Sequence, residues 1–405
     1  MKNVRILIIN NPLTALFMNS RLSEVESEHN DISTIIFYEK RRLDPGYCEN
    51  PEQREAENKQ YSLFLFKNKY LTYCPPEIYY RYSTFANLIK DCWKVKQEQL
   101  DNKLQITLFL ESIQLLSVNV TEIWHGNTFW QKYLNLNYPS ATTVRFDHGL
   151  SETLMYFSSN ERTLANHVYS KLNLRKVLNY VVGLYFVTPP VDAMSDIHFT
   201  LNSMHINAAL GCEKTKMLAP DRVGQSAIFS TKGKTELGSG SGMAIVLLDN
   251  VKPWAKSDSD HKEYFADFET MLLSRGASKL TELGIKTIVF KPKHWQEEYA
   301  RDAINNFRRL SEKFELKYFP DYYDNLPLEY FLKFLNPRAV IGNLSSGLYY
   351  AKHLLPLVET YTYDDWFVDY TIVKFGATYP DFQRMRPILF GSQAKYFESL
   401  NPVSL

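Results

Sequence analysis

Cysteine is scarce: four residues, Cys48, Cys74, Cys92 and Cys212, are scattered over 405. None forms a CxxC pair or a spacing suited to a metal. The scatter excludes a disulfide framework and fits a reducing compartment, where each thiol packs as a small apolar side chain. No run of 18 apolar residues occurs, so no membrane-spanning helix is expected. The first apolar run, Val4 to Ile9, stops at Asn10-Asn11-Pro12; it is too short for a secretory leader and reads as a buried strand. Net charge is nearly absent as well. The 46 basic and 45 acidic residues leave +1, which gives no support to wholesale nucleic-acid binding. His125, His198, His205, His261 and His353 show neither HExxH nor paired metal spacing, so no resident metal is expected.

What is present suits a two-domain α/β protein. The length exceeds one typical core. Short apolar strands alternate with helical periodicity: Val4–Ile9, Ser33–Tyr38, Ser62–Phe66, Thr121–Trp124 and Thr142–Phe146 in the first half. Met243–Leu248, Thr287–Phe290, Leu316–Phe319, Ala339–Ile341 and Pro356–Val358 follow in the second. Helices are expected after Pro75-Pro76, over 163–180, and at 258–283, 296–314, 328–335 and 345–353. Such alternation implies parallel sheets covered on both faces. A Gly/Ser-rich stretch at 231–242 reads as flexible coil between the halves. The expected domains are 1–235 and 243–380, with a helical segment at 381–405 packing back on the first. Aromatic residues, with 27 Tyr and 25 Phe, suit carbohydrate surfaces as well as cores.

Chemistry gathers where strands end. Lys291-Pro-Lys-His294 follows one apolar run and Asn343-Leu-Ser-Ser346 follows another, each ahead of a helix. Hydroxyls, backbone N–H groups and a histidine at such a junction favour a phosphate. In the first half the strand Thr142–Phe146 ends in Asp147-His148-Gly149, with Glu152 close behind, and supplies a carboxylate to face that site. Together they suggest an enzyme using a nucleotide-activated donor.

These residues, with Leu326-Pro-Leu-Glu329, resemble the ordered motifs of bacterial sialyltransferases and capsule polysialyltransferases: acidic-acidic-Gly, His-Pro, an intervening Glu, and Ser-Ser. His148 stands where the second acid would be, and Trp295 where the Pro of His-Pro would be. The resemblance implies two Rossmann-like domains facing a central cleft, the glycosyltransferase B type. It implies inverting transfer of sialic acid from CMP-sialic acid to an α2,8-type polysialic acid capsule chain, without a metal or other cofactor; no Asp-x-Asp motif sits at a matching strand end. Asp147 or Glu152 would be the general base, the choice between them open. His294 would stabilise the leaving phosphate. Ser345, Ser346, Lys291 and Lys293 would hold the donor, with Glu329 on the ribose hydroxyls and Asn10 and Asn11 near the donor sugar or acceptor. Lys67, Lys69 and Arg42 would attract the anionic glycan acceptor. The location implied is cytoplasmic, with peripheral contact to the inner membrane face or the capsule export machinery. Another CMP- or CDP-activated donor, such as CMP-Kdo, and a non-catalytic glycan- or nucleotide-binding role are the alternatives.

Overall fold

A computed structural model of the chain describes residues 3–28, 31–39, 65–66, 69–76, 92–126, 129–146, 195–201, 212–220, 223, 237–249, 251, 254–292, 297–319, 326–343, 345–378 and 403–405. The chain divides into two compact units, with the change at Leu218/Ala219. Each holds one parallel sheet, the α/β class that the alternation of strands and helices predicts.

The first unit runs β1 (Asn3–Ile9), α1 (Pro12–Glu28), β2 (Ile32–Tyr38), β3 (Leu71–Tyr73), α2 (Cys92–Ser112), β4 (Asn119–His125), α3 (Phe129–Asn137), β5 (Thr142–Phe146), β6 (Ser195–Thr200) and β7 (Cys212–Met217). Its strand order is β3-β2-β1-β4-β5-β6-β7, parallel throughout. β1 is buried on both faces because it is apolar on both, as an inner parallel strand must be. Arg5 is its exception. That side chain is 1% exposed, and its Nε donates to Glu122 Oε2 on β4 at 2.6 Å, with the guanidinium 4.7 Å above the Trp124 ring. Phe37, Phe109 and Trp130 meet edge to face beneath the sheet, joining β2, α2 and α3 into one core.

The second unit runs β8 (Met243–Leu247), α4 (Asp258–Met271), a π turn (Leu272–Gly276), α5 (Ala277–Glu282), β9 (Thr287–Lys291), α6 (Glu297–Asn305), α7 (Arg308–Ser311), β10 (Glu315–Tyr318), a 3-10 turn (Leu328–Tyr330), α8 (Leu332–Leu335), β11 (Ala339–Gly342), α9 (Ser346–Leu354), β12 (Glu359–Thr362), α10 (Asp364–Phe375) and β13 (Val403–Ser404). The order is β10-β9-β8-β11-β12-β13, again parallel. A capping box starts α4: Ser257 Oγ accepts from Asp260 N–H while the Asp260 carboxylate accepts from Ser257 N–H.

Several expectations change. The Gly/Ser stretch does not separate the units at its described end. Leu237 is buried, Gly240 N–H donates to Leu335 O at 2.8 Å, and Gly238 and Gly240 take φ of 82° and 116°. Residues 237–242 are thus a turn packed on the second unit, and the division falls at 218/219 instead. The strand expected at Ser62–Phe66 gives way, at its described end, to a turn, and Leu71–Tyr73 pairs with β2. Pro356 and Leu357 form a turn, and β12 is Glu359–Thr362, whose Tyr361 joins the core. The helix expected at 296–314 breaks at Phe307, whose backbone is extended. At the end of the chain Val403 and Ser404 pair with β12, so this part of 381–405 belongs to the second sheet; residues 379–402 lie outside the described set.

Candidate functional site

The chain leaves β8 outward through β9 and β10, then returns to the opposite side of β8 to lay down β11. Ligands bind outside the carboxyl ends of the strands at such a reversal. Register places the ends together. Val246 pairs with Ile341, Leu247 pairs with Lys291, and Leu248 N–H donates to Lys291 O at 2.9 Å. Asp249, Lys291 and Asn343 therefore share one edge of the sheet.

Two glycines draw the neighbouring turns in. A Cβ on Gly342 would lie 3.0 Å from Leu247 Cβ. One on Gly347 would lie 3.2 Å from Leu247 Cδ1 and 3.8 Å from Leu328 Cβ. The first turn of α9 thus rests against the end of β8 and against the 3-10 turn that carries Glu329.

Glu329 is buried, and that burial pushes its carboxyl up to about 7; its own backbone N–H and the nearby Lys291 ammonium pull in the other direction. Lys291 is itself buried, its Nζ 5.2 Å from the Phe319 ring centroid. Ser345 occupies the N-cap of α9 in extended conformation, yet its side chain makes no capping hydrogen bond. Ser346 opens the helix. Asn343 and Asp249 are both buried, and the Asn343 Nδ2 donates to Asp249 Oδ2. The edge therefore offers a helix N-terminus and a cation to an anion, and a carboxyl poised near neutrality to hydroxyls.

Of the residues expected to hold a donor, the structure brings Lys291, Glu329, Ser345 and Ser346 to this one edge. Asn10 and Asn11 lie in the first unit, at the corresponding reversal between β1 and β4. There Asn11 caps α1: Thr14 N–H donates to its Oδ1 at 2.8 Å, with Pro12 at the first helical position. Asn10 is buried and donates from Nδ2 to Gly126 O at 3.2 Å. Lys69 is exposed and ion-paired to Glu26, whose other oxygen accepts from Tyr70 OH at 2.5 Å; the bond to Glu26 raises the pKa of the Lys69 ammonium. His125 ends β4 fully buried, 3.0 Å from Ser195 Oγ; burial, then Arg145 and His198, hold it well below the usual imidazole range. Asp147, Glu152, Lys293, His294, Lys67 and Arg42 lie outside the described residues. Sequence reasoning did not single out Asp249 or the role of Asn343. The usable signal was position alone, since each falls within two residues of an apolar strand.

Among the described residues, no group of three or more His, Cys, Asp and Glu side chains could hold a metal ion. Among them, no helix is long and apolar enough to cross a membrane.

No family model matches the chain, and no curated protein does. Solved structures similar to it include the GT-B domain of a sialyltransferase from Photobacterium damselae, with 10% identity over 86% of this chain and 88% of that one at a TM-score of 0.47. A UDP-GlcNAc 2-epimerase from Methanocaldococcus jannaschii is 14% identical over 90% of this chain and 84% of that one, at 0.45. A 2,6-sialyltransferase from Vibrionaceae Photobacterium sp., solved with CMP and lactose, is 13% identical over 86% and 69%, at 0.42.

Proposed function

We propose that the chain is an inverting glycosyltransferase that moves sialic acid from CMP-sialic acid to a sialylated acceptor, extending an α2,8-linked polysialic acid capsule chain. The observation that carries this reading is the carboxyl edge of the second sheet, where Lys291, Glu329 and the N-terminus of α9 meet. An anion-favouring helix end beside a buried, near-neutral carboxyl matches a ligand that joins a phosphate to vicinal hydroxyls, which a ribonucleotide does.

On this reading the CMP phosphate sits at Ser345 and Ser346, with Lys291 and Lys293 offsetting its charge and Glu329 accepting from the ribose hydroxyls. The acceptor oxygen attacks the anomeric carbon as the bond from that carbon to the phosphate oxygen breaks, and CMP leaves with the electron pair. Asp147 or Glu152 takes the acceptor's proton, and His294 hydrogen-bonds the departing phosphate. Asn10 and Asn11 border the sugar being moved. Lys69, Lys67 and Arg42 draw in the polyanionic acceptor. No metal takes part, and the product is made at the cytoplasmic face of a membrane, beside the export machinery that takes up the polymer.

The test is turnover of CMP-sialic acid with a short sialylated oligosaccharide, read as CMP release and product length. Asp147→Asn and Glu152→Gln, made separately, identify the base: its loss removes nearly all turnover while CMP affinity stays. Binding of donor and acceptor without CMP release overturns the assignment as an enzyme.

A further inference from the structure

Asn343 carries a hydrogen-bond acceptor that the protein itself does not use. The residue is 4% exposed, and its amide nitrogen faces the Asp249 carboxylate. An ionised carboxylate only accepts, so this contact fixes which way the amide is turned. The Oδ1 is directed away from the carboxylate, buried and without a hydrogen-bond partner. Leaving a buried acceptor unmatched costs the folded state, so such a group asks for an external donor.

The surroundings say what kind of molecule brings that donor. Asn343 follows β11 directly and stands two residues before Ser345, the N-cap of the nine-residue helix α9. The Ser345 side chain makes no capping bond, so this helix end too has polar capacity its own backbone does not consume. A phosphate satisfies the helix end and supplies acceptors, which Oδ1 cannot use. A hydroxyl carried by the same phosphorylated molecule can supply that donor.

We propose that Asn343, oriented by Asp249, is a specificity-determining residue whose Oδ1 accepts a hydrogen bond from a hydroxyl of the phosphorylated ligand. The inference rests on the glycosyltransferase reading for the identity of the ligand. Asp249 acts as a positioning residue. The hydroxyl belongs either to the ribose or to the transferred sugar, and the two sources separate experimentally.

Calorimetric titration of the full chain with CMP, 2′-deoxy-CMP, 3′-deoxy-CMP, CMP-sialic acid and inorganic phosphate provides the test. In the unsubstituted protein a ribose source makes one deoxy form bind about tenfold more weakly than CMP, the effect of one neutral hydrogen bond. A source on the transferred sugar leaves the deoxy forms only the loss that Glu329 accounts for, which Asn343→Ala does not change, and lets CMP-sialic acid exceed CMP by about tenfold. In the first case Asn343→Ala narrows the ratio of CMP to that deoxy form by about tenfold, leaving what Glu329 contributes, and in the second it removes the preference for CMP-sialic acid; phosphate affinity stays within about twofold, because removing this acceptor takes nothing from an anion. Asp249→Asn preserves the volume and frees the amide to turn, so it too narrows the preference. Ratios that neither substitution changes overturn the proposal. So does an equal fall for every ligand, phosphate included, which marks a purely structural pair. If no nucleotide binds the unsubstituted protein, the donor reading fails with it; nucleotide binding with no change on substitution sinks only the role of Asn343.

Discussion

The reversal of strand order in the first sheet and that in the second are built alike and finished differently. Both place a polar residue beyond the central strand and a helix N-terminus beside it. At the first, Asn11 turns its own oxygen onto Thr14 N–H and Asn10 donates to Gly126 O, so the polar groups serve the fold. At the second, Ser345 caps nothing with its side chain, Asn343 Oδ1 meets no donor, and Glu329 is held near neutrality by burial. Asn10 and Asn11 spend these groups on the fold, while Asn343 Oδ1 and the Ser345 hydroxyl are left for a ligand to complete. Topology marks where a site can form, and the hydrogen bonds of each residue tell whether its polar atoms are spent on folding.

That contrast can be broken in three ways, beginning with the largest effect. Gly126→Ala would bring a Cβ to 2.4 Å from Thr14 Oγ1 at the start of α1. It is expected to destabilise the first unit by about 1–3 kcal/mol, the usual cost of overpacking. Gly347→Ala meets instead the tip of Leu247 at 3.2 Å, a flexible neighbour, and should cost less. Urea midpoints measure both, and a larger loss at Gly347 would show that Leu247 yields less readily than Thr14.

Next, Asn11→Ala removes a working cap and should lower stability by about 1 kcal/mol. Ser345→Ala removes a hydroxyl that caps nothing, so stability should stay within about 0.5 kcal/mol. The rise in melting temperature produced by CMP should shrink for Ser345→Ala and persist for Asn11→Ala. Equal stability losses in the two variants would show that Ser345 serves the fold as Asn11 does.

The third contrast concerns proton linkage. Glu329 titrates near 7 in the folded protein against an ordinary 4.5, so between those values the folded state binds more protons than the unfolded. Its contribution to stability is full below pH 4.5 and is lost as pH rises through about 7. Glu329→Gln cannot ionise, so its melting temperature relative to the unsubstituted protein should improve from pH 5 to pH 8. A difference that stays constant over that range would mean the carboxyl is not buried as described.

How far all this was legible varied with the physics of each segment. β1 and β8 could be read because strands buried on both faces must be apolar on both. β12 escaped because Glu-Thr-Tyr-Thr puts only Tyr361 into the core, while the more apolar Pro356-Leu-Val358 beside it turns. α10 and the exposed leucines of α2, Leu100, Leu104 and Leu108, also escaped; a helix whose apolar residues point outward as well as inward lacks a clean face. The donor-side residues Lys291, Glu329 and Ser345 could be found because strand-to-helix junctions are recognisable in sequence. The Asp249–Asn343 pair could not, since its meaning lies in a contact spanning 94 positions.

Arg5 and Glu122 carry a consequence for how the first sheet assembles. Their strands meet with an irregularity between Val4 and Arg5, after which the guanidinium and carboxylate align. Slide β1 by one position and every side chain changes face, leaving a cation sealed among hydrocarbons with no anion to meet it. A stranded buried charge costs about 3–5 kcal/mol, a large part of the margin by which most domains hold together. The pair works as a key cut for one alignment: a mispaired strand carries an electrostatic penalty that the native register does not.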